Sequence, residues 1–257
     1  MAEPGTELAL RFGPLETALE IALAPIRRDS SPITLLFSGG IDSAFLAHAL
    51  ADTGRVRLWT IGVAGTPEEE VARSAARALG LPWGFRPIDP TSVAEADRRW
   101  GIQVSGRLGP SRSVAVALAL AIDSAPPGRI VTGQGADELF WGYAHFRGLD
   151  AEAAAERSRQ DFDRLDGADG PRLERIAAEL GRRMDAPFTH PALRAAVERW
   201  PARERLPRQL TKPLLREWAR QRGVPEAIRD RPKRAVQYGS GVDRLLRHIG
   251  HGAQGLP

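Results

Sequence analysis

Apolar residues recur in this chain with two different periods, and the alternation between them predicts a fold. Short runs rich in aliphatic, β-branched and aromatic residues, bounded by Pro or Gly, read as strands: "ITLLF" (33–37), "VRLWTIGV" (56–63), "WGFRPID" (83–89) and "RIVTG" (129–133). Between them the spacing becomes helical. "LETALEIALAPI" (15–26) is amphipathic and is expected to close near Pro25. A second helix is expected over 42–51 and another over "SRSVAVALALAID" (111–123). In "TPEEEVARSAARALG" (66–80), Thr66 suits an N-cap, Pro67 the first helical position, the acids the first turn, and Gly80 the end.

Strand alternating with helix predicts an α/β class protein. Its parallel sheet is doubly wound, with helices on both faces. Right-handed crossovers then set the strand carboxyl ends along one edge, where such folds bind ligands. From about residue 149 the pattern is helical throughout, in "LDAEAAAERSRQDFDRL", "PRLERIAAEL", "PALRAAVERW" and "PLLREWARQR". The expected organisation is an α/β core over 1–148 and a C-terminal helical part over 149–257 that completes the site, or one integrated domain.

Composition narrows the chemistry. The chain has 257 residues and no cysteine, so disulfides, thiolate metal sites and cysteine nucleophiles are excluded. No apolar run reaches the roughly 20 residues of a membrane span. The N-terminus lacks the basic and apolar regions of a secretory signal, and a cytoplasmic setting is expected. The net charge of +4 raises the question of nucleic acid. However, the basic residues alternate with acids in runs such as "RSRQDFDRLD", which reads as a solvated helix face, and a nucleic-acid partner is disfavoured. Of 36 basic residues only Lys212 and Lys233 are lysine. In so arginine-rich a chain, a lysine that persists marks a place where a compact ammonium is needed.

The stretch "LLFSGGIDS" (35–43) carries the most chemistry. Two glycines between a buried strand and a helix let the backbone turn tightly and present N–H groups at the helix N-terminus, a site for phosphate. Ser38 and Ser43 add hydroxyls. Asp42 beside phosphates calls for a bridging divalent cation, and Mg²⁺ suits carboxylate and phosphate oxygens. The string is neither a Walker A loop nor a dinucleotide fingerprint.

SGGIDS resembles the PP-loop of the N-type ATP pyrophosphatases, which cleave ATP between the α and β phosphates. That resemblance implies an adenine nucleotide alpha hydrolase-like fold. "VTGQGADELFWGY" (131–143) is similar to the SGEGADE(L/V)FGGY element of the synthetase domain of asparagine synthetases. "DAPFTHPAL" (185–193), "TKPLLREWA" (211–219) and "RPKRAVQYGSGV" (231–242) follow in the order found in that family. The resemblance implies that Ser38, Gly39, Gly40 and Ser43 hold the pyrophosphate portion of ATP. It further implies that Asp42 and Asp137 hold Mg²⁺ and that backbone near Leu36, Ile61 and Gly133 meets adenosine. Lys233, assisted by Lys212, is implied to stabilise charge at the α-phosphate. Glu138 is left outside the metal site, and Phe140, Trp141 and Tyr143 read as packing.

The chain departs from the family pattern at four positions: Gln134 for Glu, His190 for Asp, Asp185 for Arg and Trp141 for Gly. Gln134, on the substrate side, cannot act as a general base. Ala2 and the lack of cysteine leave no glutaminase chemistry, so the nitrogen is expected from free ammonia, another amine or a partner subunit such as a separate glutaminase. The expected function is an ATP-dependent, AMP-forming ligase that activates a carboxylate, aspartate by analogy, and aminates it. Two alternatives are a catalytically inactive nucleotide-binding or regulatory subunit and a tRNA-modifying PP-loop enzyme.

Overall fold

A computed structural model describes residues 4–101, 110–231 and 240–252. Five strands form one all-parallel sheet: β1 (Ile33–Leu36), β2 (Val56–Gly62), β3 (Trp83–Pro87), β4 (Arg129–Val131) and β5 (Met184–Asp185), in the order β3-β2-β1-β4-β5. From β1 the chain steps outward through helix α2 (Ile41–Leu50) to β2, and through α3 (Pro67–Leu79) to β3. It then returns across β1 by way of α4 (Pro90–Ala96) and the helix Pro110–Ser124, and enters β4 on the other side. The winding therefore reverses between β1 and β4, which opens a crevice beyond their carboxyl ends.

Both faces of the sheet are covered, which is why its strands read as continuous apolar runs. Leu35 and Val131 point into one core with Phe45 of α2, Ala72 of α3 and Leu15, Leu19 and Leu23 of α1 (Pro4–Arg28). Leu36 and Ile130, one residue out of phase with them, point into the other. There they meet Val93 of α4, Val116 and Ile122 of the helix Pro110–Ser124, and Leu173 and Ile176 of the helix Gly170–Glu179. Residues adjacent along a strand thus feed opposite layers.

Four helices of the second half fall where the pattern sets them: Ala151–Arg164, Gly170–Glu179, Pro191–Glu198 and Pro213–Gln221. Two features differ from the expectation. Helix α1 does not close at Pro25 but runs through Pro14 and Pro25 to Arg28, because continuing buries Ile26 at the core. The helical half also adds a strand to the sheet. β5 pairs with β4, and Arg129 locks the pair by two bonds to the Asp185 carboxylate and one to Asp29 at 3.0 Å. A two-residue strand is too short to declare a period, so only the pairing reveals it.

Phe45, fully buried in α2, packs its ring 4.6 Å from Trp218 and 6.0 Å from Phe188. This aromatic group ties the helix behind the glycine loop to the helix Pro213–Gln221. Phe45→Ala is expected to lower unfolding free energy by about 3–5 kcal/mol, as read from urea transitions at unchanged m. A loss below about 1 kcal/mol would mean that the cluster is not what holds these two helices together.

Candidate active site

The loop after β1 is held at its start by Phe37 N–H donating to the Trp59 carbonyl (2.8 Å) and Thr60 Oγ1 donating to the Phe37 carbonyl (2.7 Å). Gly39 has φ +72° and lies flat against α3, where a Cβ would stand 3.0 Å from the Ala72 Cα. The glycine is therefore required for conformation and for clearance alike. Ser38 Oγ accepts from Gly40 N–H (3.3 Å), and Ser43 Oγ donates to the Gly40 carbonyl (3.3 Å). No side chain caps the N-terminus of α2, so its first N–H groups face the crevice.

The loop after β4 closes on the first from the other side of the switch point. A Cβ on Gly133 would lie 3.2 Å from the Cβ of Asp42, so the two tips approach with no room for a side chain between them. The short helix Ala136–Leu139 then presents Asp137. Asp42 and Asp137 converge on a single ammonium. Lys212 Nζ lies 2.6 Å from both oxygens of Asp42 and 2.7 Å from Asp137 Oδ1. Lys212 is 1% exposed and occupies the left-handed region (φ +59°) just before the helix Pro213–Gln221. Burial opposes its charge. The attraction of Asp137 and Asp42 and their hydrogen bonds outweigh that cost and hold its pKa above the ordinary lysine value.

Gly142 provides the clearance for this triad. A Cβ there would overlap both Asp137 Oδ1 and Lys212 Cε. The neighbouring Trp141 is a bulky residue at φ +56°, a conformation that costs on the order of 1–3 kcal/mol. It is fully buried, stacks on Phe146 (6.0 Å) and takes the Arg205 guanidinium over its ring at 4.1 Å.

These elements surround a cleft of about 620 Å³. Leu36, Ser38, Gly40, Asp42, Ser43, Ile61, Gly133, Gln134 and Asp137 all line it, whereas Gly39 packs behind the loop and Lys212 lies beneath the wall. Lys233 lies outside the described residues. One end of the cleft is apolar, with Trp59, Phe85, Leu118 and Ala121, and suits a flat heterocycle. Local patterning did not single these residues out, since each is an ordinary sheet or helix position.

The other end holds charges that the sequence reading assigned to solvent. Arg157 and Arg164, whose spacing in sequence predicts a solvated helix face, line the cleft together with Arg172 and His145. His145 and the first two arginines gather over Asp161, which is 2% exposed and lies 2.7 Å from His145 Nε2, 3.2 Å from Arg164 and 3.4 Å from Arg157, while Arg172 pairs with Asp169 at 3.6 Å. The helical spacing of these arginines is visible in sequence; the buried aspartate that turns them to one side is not.

Tyr143, read as packing, also lines the cleft and donates to Glu138 Oε1 at 2.6 Å. Burial, aided by Asp137 and opposed by the Tyr143 hydrogen bond, pushes the Glu138 carboxyl up to about 7. Of the four departures from the family pattern, only Gln134 faces the cleft. His190 caps the helix Pro191–Glu198 through Ala192 N–H (3.2 Å), Asp185 pairs with Arg129, and Trp141 is packed away.

The family description "asparagine synthase" matches residues 15–180 and again residues 150–251. The chain belongs to the asparagine synthase family. No curated protein matches it. Among solved structures, the crystal structure of a predicted subunit of tRNA methyltransferase from Methanocaldococcus jannaschii is similar at 19% identity and a TM-score of 0.37. The match covers 65% of this chain and 74% of that one. A likeness at that level carries no functional argument.

PP-loop ATP pyrophosphatase family members bind ATP, usually with Mg²⁺, and the carboxylates here fit a metal of that kind. Among the described residues no group of three or more His, Asp or Glu forms a metal cage. Two carboxylates do meet at one point, and Mg²⁺ is commonly held by one or two carboxylates with substrate phosphates completing its shell. Asp42 and Asp137 would hold it, and it would offset charge on phosphate oxygens. No helix among the described residues is long and apolar enough to cross a membrane.

Gly142→Ala is expected to cost about 1–3 kcal/mol in urea unfolding through overpacking of the triad. Gly13→Ala, where a Cβ meets nothing within 4 Å in α1, should be neutral or stabilise by up to about 1 kcal/mol. Equal effects from the two would dismiss the clearance role of Gly142.

A second expectation concerns pH in metal-free protein. Glu138 binds its proton more tightly folded than unfolded, so its contribution to stability is fully present below about pH 4.5 and is lost as pH rises through about 7. The contribution is roughly 3 kcal/mol. Glu138→Gln keeps the acceptor for Tyr143 and should flatten the stability profile over that window; an unchanged profile would contradict the buried-carboxyl assignment.

Proposed function

We propose that this member of the asparagine synthase family is an ATP-dependent amide-forming ligase. A substrate carboxylate oxygen attacks the α-phosphorus of ATP, the bond from that phosphorus to the bridging oxygen breaks, and pyrophosphate leaves. An amine nitrogen then attacks the acyl carbon, loses its proton, and AMP departs. Aspartate and ammonia are the default pair by family analogy.

One observation carries this reading: Asp42 and Asp137, from the two glycine tips at the β1–β4 switch point, converge on one cation beneath a cleft of nucleotide size. The step proposed there is governed by positioning and charge stabilisation. Ser38, Gly39, Gly40, Ser43 and the N-terminus of α2 are assigned to the pyrophosphate portion. The apolar end near Leu36, Ile61 and Gly133 is assigned to adenosine, and Lys212 to holding the two aspartates in register. Lys233 is assigned to the α-phosphate by the family resemblance alone. The arginine-rich end with Gln134 is assigned to the acceptor, and Glu138 with Tyr143 supplies the basic atom that Gln134 lacks. The amine is supplied as ammonia or by a separate glutaminase, in the cytoplasm.

The deciding experiment is ATP–pyrophosphate exchange across a panel of small carboxylates with Mg²⁺. Exchange that depends on one carboxylate is expected, falling about 10²–10³-fold in Asp42→Asn. ATP binding by calorimetry with no exchange and no AMP from any carboxylate would instead make the protein a nucleotide-binding subunit without turnover.

A further inference from the structure

Arg216 lies in the family-like stretch 211–219 but has no role assigned there, and the Asp42–Asp137–Lys212 triad does not use it. It lies on the helix Pro213–Gln221, one turn beyond Lys212, and is 8% exposed where it lines the cleft. Two of its three nitrogens are satisfied by backbone. Nε donates to the Thr211 carbonyl at 2.7 Å and Nη2 to the Arg231 carbonyl at 3.0 Å. These bonds fix the plane of the guanidinium. The third nitrogen, Nη1, is buried and has no hydrogen-bond partner among the described residues.

An unsatisfied donor on a buried cation is costly, on the order of a few kcal/mol, and such groups are ordinarily paired. The nearby acid does not meet this one. Asp42 is close enough to favour the Arg216 charge against burial, yet both of its oxygens are engaged by Lys212 at 2.6 Å. What remains is a rigid, cationic donor at the cleft, shared with the glycine loop Ser38–Ser43. A guanidinium in that setting suits a phosphate oxygen better than a water or a neutral group.

We infer that Arg216 is an anion-binding residue of the cleft, its Nη1 donating to an oxygen of the pyrophosphate portion of the bound nucleotide. The inference rests on the ATP reading above and adds to it a cationic contact opposite the loop. The backbone bonds at Nε and Nη2 would preorganise that contact, so little ordering remains when the anion arrives.

The test is calorimetric binding of inorganic pyrophosphate and of adenosine to the full chain and to Arg216→Met and Arg216→Lys. Pyrophosphate affinity should fall about tenfold to a hundredfold in Arg216→Met, with adenosine affinity unchanged. Arg216→Lys keeps the buried charge and guards against a misfolded methionine variant. Its ammonium lacks the planar fork that holds two separated backbone carbonyls and aims a third nitrogen at the anion, so it should also lose pyrophosphate affinity, several-fold. Full retention of pyrophosphate binding in either folded variant overturns the inference, as does equal loss of adenosine and pyrophosphate. Wild-type protein that binds neither pyrophosphate nor ATP overturns the ATP reading itself.

Discussion

The cleft depends on one buried ammonium. Lys212 is almost fully enclosed and holds Asp42 and Asp137 at hydrogen-bonding distance. Two carboxylates that close would repel each other strongly in a poorly solvated site, and neither would keep its position without a cation between them. Lys212 supplies that charge from within the chain, so the two acids stay in register before any ligand binds. A compact ammonium can reach three carboxylate oxygens at a single point, which a planar guanidinium cannot do with the same geometry. That is a physical reason for one of only two lysines to stand in a chain of arginines.

The surrounding backbone is shaped to permit this convergence. Gly133 lets the second tip close against Asp42, Gly142 leaves room for the Lys212 stem beside Asp137, and Gly39 lets α3 pack against the first tip. Lys212 itself is held at positive φ, immediately before a helix whose aromatic face, through Trp218, is anchored to Phe45. The strain at Lys212 and at Trp141 is sustained by the burial around both residues. The core and the cleft are therefore coupled. The helix that follows the phosphate-type loop and the helix that carries Lys212 and Arg216 share one aromatic cluster, so packing in that cluster sets the distance between loop and cations.

The cleft also divides its labour by polarity. Its apolar end is built from β2, β3 and the helix Pro110–Ser124, which the sheet brings together. Its charged end comes from the helices Ala151–Arg164 and Gly170–Glu179, joined by a π-helical turn at Leu165–Asp169 that carries Leu165 and Asp169 to the cleft wall. Of the departures from the family pattern only Gln134 faces this space, so the divergence from the family at Asp185, His190 and Trp141 concerns pairing, capping and packing away from the cleft.

Strand and helix periods, the Thr66–Pro67–Gly80 punctuation and the SGGIDS and GADE strings are local properties, written in neighbouring residues, and they were legible in the chain as it stands. They determine an α/β fold with a parallel sheet, two glycine tips at strand ends, and the candidates that line the cleft. Other features depend on residues far apart. Lys212 meets Asp42 across 170 residues of sequence. Nothing local distinguishes a lysine that bridges two acids from one in solvent, and nothing local turns Arg157 and Arg164 over a buried Asp161. The two-residue β5 and the Arg216 nitrogen that has no partner among the described residues likewise become visible only when the second half of the chain packs against the first. Side-chain period records which face of an element is buried; which charges meet on that face is decided by the approach of other elements, and only the folded chain contains that information.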